Sequence, residues 1–306
     1  MTISPNIEAL IRRLRPNASA SKNQSVEYLS ACASVCKSCD NLGYKFAADY
    51  RPGSQSYICE CIKSCVDCAG AAQKINSDKR IQSCFAMNPF NFVRQFNQSH
   101  IPFRYIQADW KSMLAQSRQQ QWVASTKKWL DNLQNQTDKG LIFHGDVGVG
   151  KTHLLCALGI EILKKGFSVK FIDFFQLLTE LKAAYADGKS DPEILRPLQK
   201  VDVLIIDELG KGRASEWELS VADMLISERY NAKKIILAST NYSPFEGAKI
   251  EKFVNRELDS PFANSDPQVQ FGLLETRVGK RILSRLCEMT HFVEIKGDDR
   301  RRRSRI

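Results

Sequence analysis

Residues 145–152 read GDVGVGKT, a loop built to hold phosphates. It fits G-x-x-x-x-G-K-[ST], and the flanking stretches GLIFH and HLLCALGIEILKK supply the strand and helix that such a loop requires. Gly145, Gly148 and Gly150 let consecutive backbone N–H groups turn inward, at the positive end of the helix dipole. Asp146, Val147 and Val149 complete the cradle. Lys151 is expected to reach the β and γ phosphates of ATP, and the Thr152 hydroxyl to ligate Mg²⁺, with His153 next along the helix.

Such a loop needs a second, acidic element. The apolar run DVLII ends in Asp207 and Glu208: Asp207 is placed to hold Mg²⁺ directly or through water, and Glu208 to polarise the attacking water as a general base. A further run, KIILAS, ends in Thr240 and Asn241, and Asn241 is a candidate to orient that water. A surface turn at Asn-Tyr-Ser-Pro accounts for Asn241 almost as well.

A separate chemistry is written in the cysteines, eight of whose ten lie between residues 32 and 84. Cys36-Lys-Ser-Cys39, Cys59-Glu-Cys61 and Cys65-Val-Asp-Cys68 are paired thiols at spacings that close a tetrahedral Zn²⁺ site. Cys65 and Cys68 are either replacement ligands in that site or half of a second site with Cys32 and Cys84. The triplets Cys32/Cys36/Cys39 and Cys61/Cys65/Cys68 also fit C-x-x-x-C-x-x-C, a spacing that can hold an iron–sulfur cluster, though nothing else in the chain supports radical chemistry; plain reduced thiols are the remaining alternative. Cys156 and Cys287 stand apart in apolar helical patterns and read as core residues.

The elements that must position these groups alternate. Candidate strands at 140–144, 169–173, 202–206, 234–239 and 291–295, with helices between them, predict a parallel sheet wrapped by helices. Upstream, Ile7, Leu10, Ile11 and Leu14 recur at helical spacing between Pro5 and Pro16, which predicts a short amphipathic helix over 5–15. The expected organisation is an N-terminal helix and linker (1–30), a zinc-binding module (31–85), a connector with a Gln-rich helix near 116–122 (86–125), and an ATPase domain with a basic tail (126–306).

The segments FHGDVGVGKTHLLCAL, VDVLIIDELG, SERYNAKKIILASTN and TRVGKRILSRLCEMTHFVEIKGDDRR, with IPFRY ahead of them, resemble the DnaC/DnaI helicase-loader and IstB family of AAA+ ATPases. The resemblance implies an α/β P-loop AAA+ sheet without a helical lid. It also implies self-association, with Arg285 of S-R-L acting as an arginine finger in a neighbour's site and Arg281 as the second choice. CKSCDNLGY and YICEC resemble the halves of the zinc module in loader-like proteins, which favours Cys36, Cys39, Cys59 and Cys61 as ligands. The stretch RELDSPFANSDPQVQFG departs from the family pattern and looks like an insertion.

The implied role is helicase loading in DNA replication: binding single-stranded DNA and a replicative DNA helicase, with ATP hydrolysis driving release. An IstB-like transposition helper is the alternative, and a zinc-dependent nucleic-acid-binding adaptor using ATP as a switch is the third.

Charge agrees in direction. The net +10 sits at the ends: residues 1–105 carry 13 Lys/Arg against 7 Asp/Glu, and 296–306 carry 6 against 2, including Arg300, Arg301, Arg302, Arg303 and Arg305. Basic ends suit phosphate backbones or an acidic partner. No apolar run is long enough for a membrane span and no signal peptide is recognisable, so a cytoplasmic protein without membrane contact is expected.

Overall fold

A computed structural model describes residues 36–40, 42–50, 52–60, 73–75, 81–83, 87–108, 121–133, 139–188, 190–244, 272–297 and 299. The expected helix over 5–15, the 256–271 part of the insertion, the basic tail from Arg300 and most of the Gln-rich stretch lie outside the described residues. So do Cys32, Cys61, Cys65, Cys68 and Cys84.

The described residues begin with two antiparallel pairs, β1 (Tyr44–Phe46) with β2 (Ser56–Ile58), and β3 (Gln73–Ile75) with β4 (Ile81–Ser83). Then come α1 (Met87–Gln98), a 3₁₀ turn (Phe103–Tyr105), α2 (Gln121–Asn132), β5 (Gly140–His144) and α3 (Lys151–Lys164). The alternation continues with β6 (Val169–Asp173), α4 (Phe174–Ala186), α5 (Asp191–Lys200), β7 (Val203–Asp207), α6 (Glu216–Asn231) and β8 (Ile235–Thr240). It closes with α7 (Leu274–Val278), α8 (Lys280–Met289) and β9 (Thr290–Glu294).

Five strands form one parallel sheet in the order β6-β7-β8-β5-β9. Three of the expected strands shift by a single residue. Strand β7 runs to Asp207, because a parallel strand covered on both faces stays hydrogen-bonded until a loop carries it out. The order places β8 between the phosphate-loop strand and the acidic strand. That insertion brings the end of KIILAS between the two chemical elements.

Side-chain alternation along each strand divides the core into two layers. Leu141, Phe143, Val203, Ile205 and Leu237 face α1, α2 and α3, whereas Ile142, Leu204, Ile206, Ile236 and Ala238 face α4 to α8. Each fully buried Leu or Ile contributes about 1.5–3 kcal/mol, so the sheet is the rigid base for the loops at its C-terminal edge. Those loops carry the candidate chemistry.

The β1–β2 hairpin is bound to this body through α1. Asn97 Oδ1 accepts the N–H groups of Gln55 and Ser56, each at 2.9 Å, and its Nδ2 donates to the Ser56 carbonyl at 2.9 Å. Tyr44 stacks on Phe92 (centroids 4.1 Å apart) and Phe46 packs on Phe96 at 5.1 Å, while Phe92 and Phe96 belong to the same core as Leu154 and Leu155 of α3. Cys156 is fully buried as expected, but Cys287 is exposed. Helix α8 buries Ile282, Leu283, Leu286 and Met289, and position 287 falls on the opposite face of that stripe.

Candidate functional site

The phosphate loop leaves β5 and enters α3 through Gly150, which takes φ 100, a left-handed conformation open to glycine at little cost. Lys151 is 7% exposed, and its ammonium donates to the carbonyls of Gly145 (2.8 Å) and Asp146 (2.7 Å). The cation is therefore held at the loop by the loop's own backbone.

At the next residue, Thr152 Oγ1 donates to Asp207, at 2.9 Å from Oδ2 and 3.1 Å from Oδ1. Burial pushes the Asp207 carboxyl above the usual carboxylate range, while hydrogen bonds from Ser239 and Thr152 oppose it. A buried anionic oxygen beside a hydroxyl is a donor set suited to Mg²⁺, which takes hard oxygen ligands. The residues present fit the ion.

Ser239, which the sequence reading passed over, links the two acids. Its hydroxyl donates to Asp207 Oδ1 and accepts the Glu208 N–H at 3.0 Å. Its carbonyl accepts the Leu209 N–H at 2.7 Å, and Thr240 Oγ1 donates to the Leu209 carbonyl at 2.9 Å. Both bonds follow from β8 lying beside β7. Glu208 has φ 54, a left-handed conformation that costs a non-glycine residue ~1–3 kcal/mol and is held only by its surroundings. Its carboxylate pairs with Lys211, and that hydrogen bond raises the Lys211 ammonium above its ordinary pKa.

A cleft of about 390 Å³ gathers Val147, Gly148, Gly150, Lys151, Thr152, His153, Glu208, Ser239 and Asn241. Its remaining wall is Arg104, Tyr105, Gln107 and Ala108, from the 3₁₀ turn and the residues after it. Tyr105 lies 6.0 Å from the His153 ring. The sequence offered IPFRY as a family phrase, without showing that it faces the loop.

Arg285 and Arg281 do not line this cleft. Arg285 donates to Asp223 Oδ1 at 2.8 Å and to Ser227, lies over the Tyr230 ring, and has a side chain 20% exposed. Arg281 stands 3.7 Å from the same carboxylate with its side chain 72% exposed. Both arginines thus lie on a face of α8 that converges on Asp223 of α6.

At the other end of the described chain, the Sγ atoms of Cys36, Cys39 and Cys59 lie within 4.8 Å of one another. Cys36 and Cys59 are 3.9 Å apart. Sulfurs at two corners of a tetrahedron with Zn–S ≈ 2.3 Å lie ~3.8 Å apart, whereas a disulfide needs ~2.05 Å. The Gly43 N–H donates to Cys39 Sγ at 3.4 Å and the Cys59 N–H to the Gly43 carbonyl at 2.9 Å, so one turn orients both thiols. The donor set fits a tetrahedral metal.

Sheet order, phosphate loop and acidic strand together define a P-loop ATPase fold of the AAA+ kind. Residues 87–248, just over half of the chain, match the family described as IstB-like ATP binding protein, and the chain belongs to that family.

Among its relatives, the chain is 32% identical over 110 residues to the replicative helicase loader DnaC of Escherichia coli (strain K12), covering 36% of this chain and 45% of that protein. It is 33% identical over 114 residues to the ATP-binding protein of insertion sequence IS5376 of Geobacillus stearothermophilus, covering 37% and 43%. The chain thus spans about half the length of the curated relatives it matches. A solved structure of the DnaC helicase loader is 30% identical, with a TM-score of 0.49, covering 63% of this chain and 99% of that one. No described helix is long and apolar enough to cross a membrane.

Proposed function

We propose that this protein is a cytoplasmic ATP-hydrolysing helicase loader, which binds single-stranded DNA and a replicative helicase and is released from them by hydrolysis. The observation that carries the ATPase part of the reading is the chain of contacts Thr152–Asp207–Ser239–Glu208, which ties the phosphate loop and the two acidic residues into one unit, while the loading part rests on the similarity to DnaC.

In this reading the backbone N–H groups of 145–152 and the Lys151 ammonium hold the phosphates of ATP. Mg²⁺, when bound, neutralises phosphate charge, and Thr152 and Asp207 are the residues that would hold it. Glu208 leaves Lys211 and takes the proton of the attacking water, which Asn241 orients. Arg285, or the more exposed Arg281, completes the site of a neighbouring subunit and stabilises charge in the transition state. Tyr105 and Arg104 face the same cleft and would meet the base or ribose.

The cysteine hairpin is proposed to hold one Zn²⁺ through Cys36, Cys39 and Cys59, with Cys61 as the fourth ligand. Its role is structural: a small hairpin gains from a metal the stability that its core lacks. The division into a leading helix, zinc module, connector and ATPase domain goes with this reading.

The similarity to the IS5376 protein, close to that with DnaC in identity and extent, favours a transposition helper as the second reading. Affinity capture with ATP present, using the full chain as bait, separates them: recovery of a replicative helicase supports loading, and recovery of a transposase overturns it. Labelled single-stranded DNA should bind more tightly with ATP than with ADP, and equal affinity in the two states contradicts the loading cycle.

A further inference from the structure

The loop that carries Glu208 is held from a side that none of the groups above occupies. Arg277, in the last turn of α7, donates from Nε to the Gly210 carbonyl at 3.0 Å and from a terminal nitrogen to the Gly212 carbonyl. Its own Cβ fills the space that a side chain at position 210 would need, 3.0 Å from a Cβ built there, and Gly210 takes φ +87. The guanidinium also lies over the Tyr242 ring, 5.0 Å from its centroid. Tyr242 directly follows Asn241, which lines the nucleotide cleft. One planar cation therefore touches both segments that frame the hydrolytic side of the cleft, the acidic loop and the end of β8.

The same residue is continuous with the face proposed to meet a neighbour. After Val278 the chain turns at Gly279 (φ 83) and enters α8, which carries Arg281 and Arg285. Helices α7 and α8 pack on each other and on α6, so a displacement of α8 is passed to Arg277 by helix packing across the single-residue turn at Gly279. We infer that Arg277 is a positioning residue for ATP hydrolysis: it clamps the Gly210–Gly212 backbone so that Glu208 keeps its left-handed conformation, and it ties that loop to the subunit-facing helix. The inference rests on the ATPase reading above. A guanidinium is suited to the task because its fixed fork satisfies two carbonyls at once, which a lysine ammonium cannot reproduce with the same geometry.

The experiment compares wild type, Arg277→Ala and Arg277→Lys in the full chain, measuring ATP affinity by titration, kcat and KM by phosphate release, and the thermal unfolding midpoint. A misplacement of about 1 Å at a catalytic group costs ~10²-fold in rate. The expected result is a kcat lower by that order in Arg277→Ala, an intermediate value in Arg277→Lys, and unchanged ATP affinity in both. Because Arg277 acts through Glu208, adding Arg277→Ala to Glu208→Gln should cost no further activity, a non-additivity that a general structural role does not produce. Full kcat in Arg277→Ala, loss of ATP affinity in step with the midpoint, or additive losses in the double variant would each overturn the inference. Should Arg277→Ala fail to fold, Arg277→Lys and its combination with Glu208→Gln carry the same comparison. A wild-type chain that hydrolyses no ATP at any concentration instead overturns the ATPase reading, and this inference with it.

Discussion

Thr152 and Asp207 are hydrogen-bonded at 2.9 Å, joining the first turn of α3 to the last residue of β7 across 55 residues of sequence. Strand β8 stands between the parent strands, so the bond spans the width of a strand that contributes Ser239 to the same carboxylate.

Lys151 and Glu208 should separate binding from chemistry. Lys151→Ala removes a cation that meets the phosphates in the ground state, and nucleotide binding should be abolished. Glu208→Gln keeps the shape of a side chain needed only in the reaction, so it should bind ATP normally and lose turnover by about 10²–10⁴-fold. Equilibrium binding and phosphate release on the two variants check this, and wild-type turnover in Glu208→Gln removes the base assignment.

Asp207 should weaken the protein that it serves. Its folded-state pKa is raised, chiefly by burial, so the ionised form is disfavoured by folding: the penalty is present above the folded pKa and is relieved as pH falls through it. Asp207→Asn can still accept the Ser239 and Thr152 hydrogen bonds. It should raise the thermal midpoint at neutral pH without nucleotide or Mg²⁺, with the gain shrinking towards the acid range, while activity is lost. A midpoint that falls at neutral pH contradicts the burial argument.

The cysteine hairpin should carry zinc. Metal analysis of protein purified without added metal should find at least one zinc per chain, and chelation or Cys36→Ser should disorder the β1–β2 hairpin before the sheet melts. Asn97→Ala, which removes three contacts at 2.9 Å, should loosen the hairpin by about 1–3 kcal/mol with zinc still bound. Iron with visible absorbance in place of zinc refutes the assignment.

Arg285 should act on a site other than its own. An arginine supplied in trans contributes about 10³–10⁵ in rate, so Arg285→Ala should be nearly inactive with ATP affinity little changed. Mixing it with Lys151→Ala should restore part of the activity, since some interfaces then pair an intact loop with an intact arginine. A mixture that co-assembles and stays inactive rules out the shared site. Arg281→Ala tested alongside decides between the two arginines, of which Arg281 is the more exposed.

The fold was readable because its signals are local. GLIFH and DVLII are apolar on both faces, the phosphate loop has a fixed spacing, and both strand and helix flank it, so strand positions were displaced by one residue at most. Residues whose roles depend on a distant partner were not readable. Ser239 is an unremarkable strand serine until β8 is placed beside β7, and Arg104 and Tyr105 become a cleft wall only once their segment is folded beside the loop. Arg277 lies inside one of the family-like segments, yet its role was not readable there, since both its acceptors are backbone carbonyls. Cys287 was misread because a run of apolar neighbours does not reveal which face of α8 is buried.

The position of β5 also bears on how the chain is made. It is hydrogen-bonded to β8 and β9, and both are synthesised after it. The strand that launches the phosphate loop therefore emerges with its two edges open and its apolar side chains uncovered. It must wait until residues 235–240 and then 290–294 have been translated. Pairings of such long range form slowly and leave sticky strand edges exposed meanwhile. The nascent chain accordingly carries open strand edges until its last strand is made, and a ribosome stalled before β9 would display an incomplete sheet with one edge of β5 unpaired.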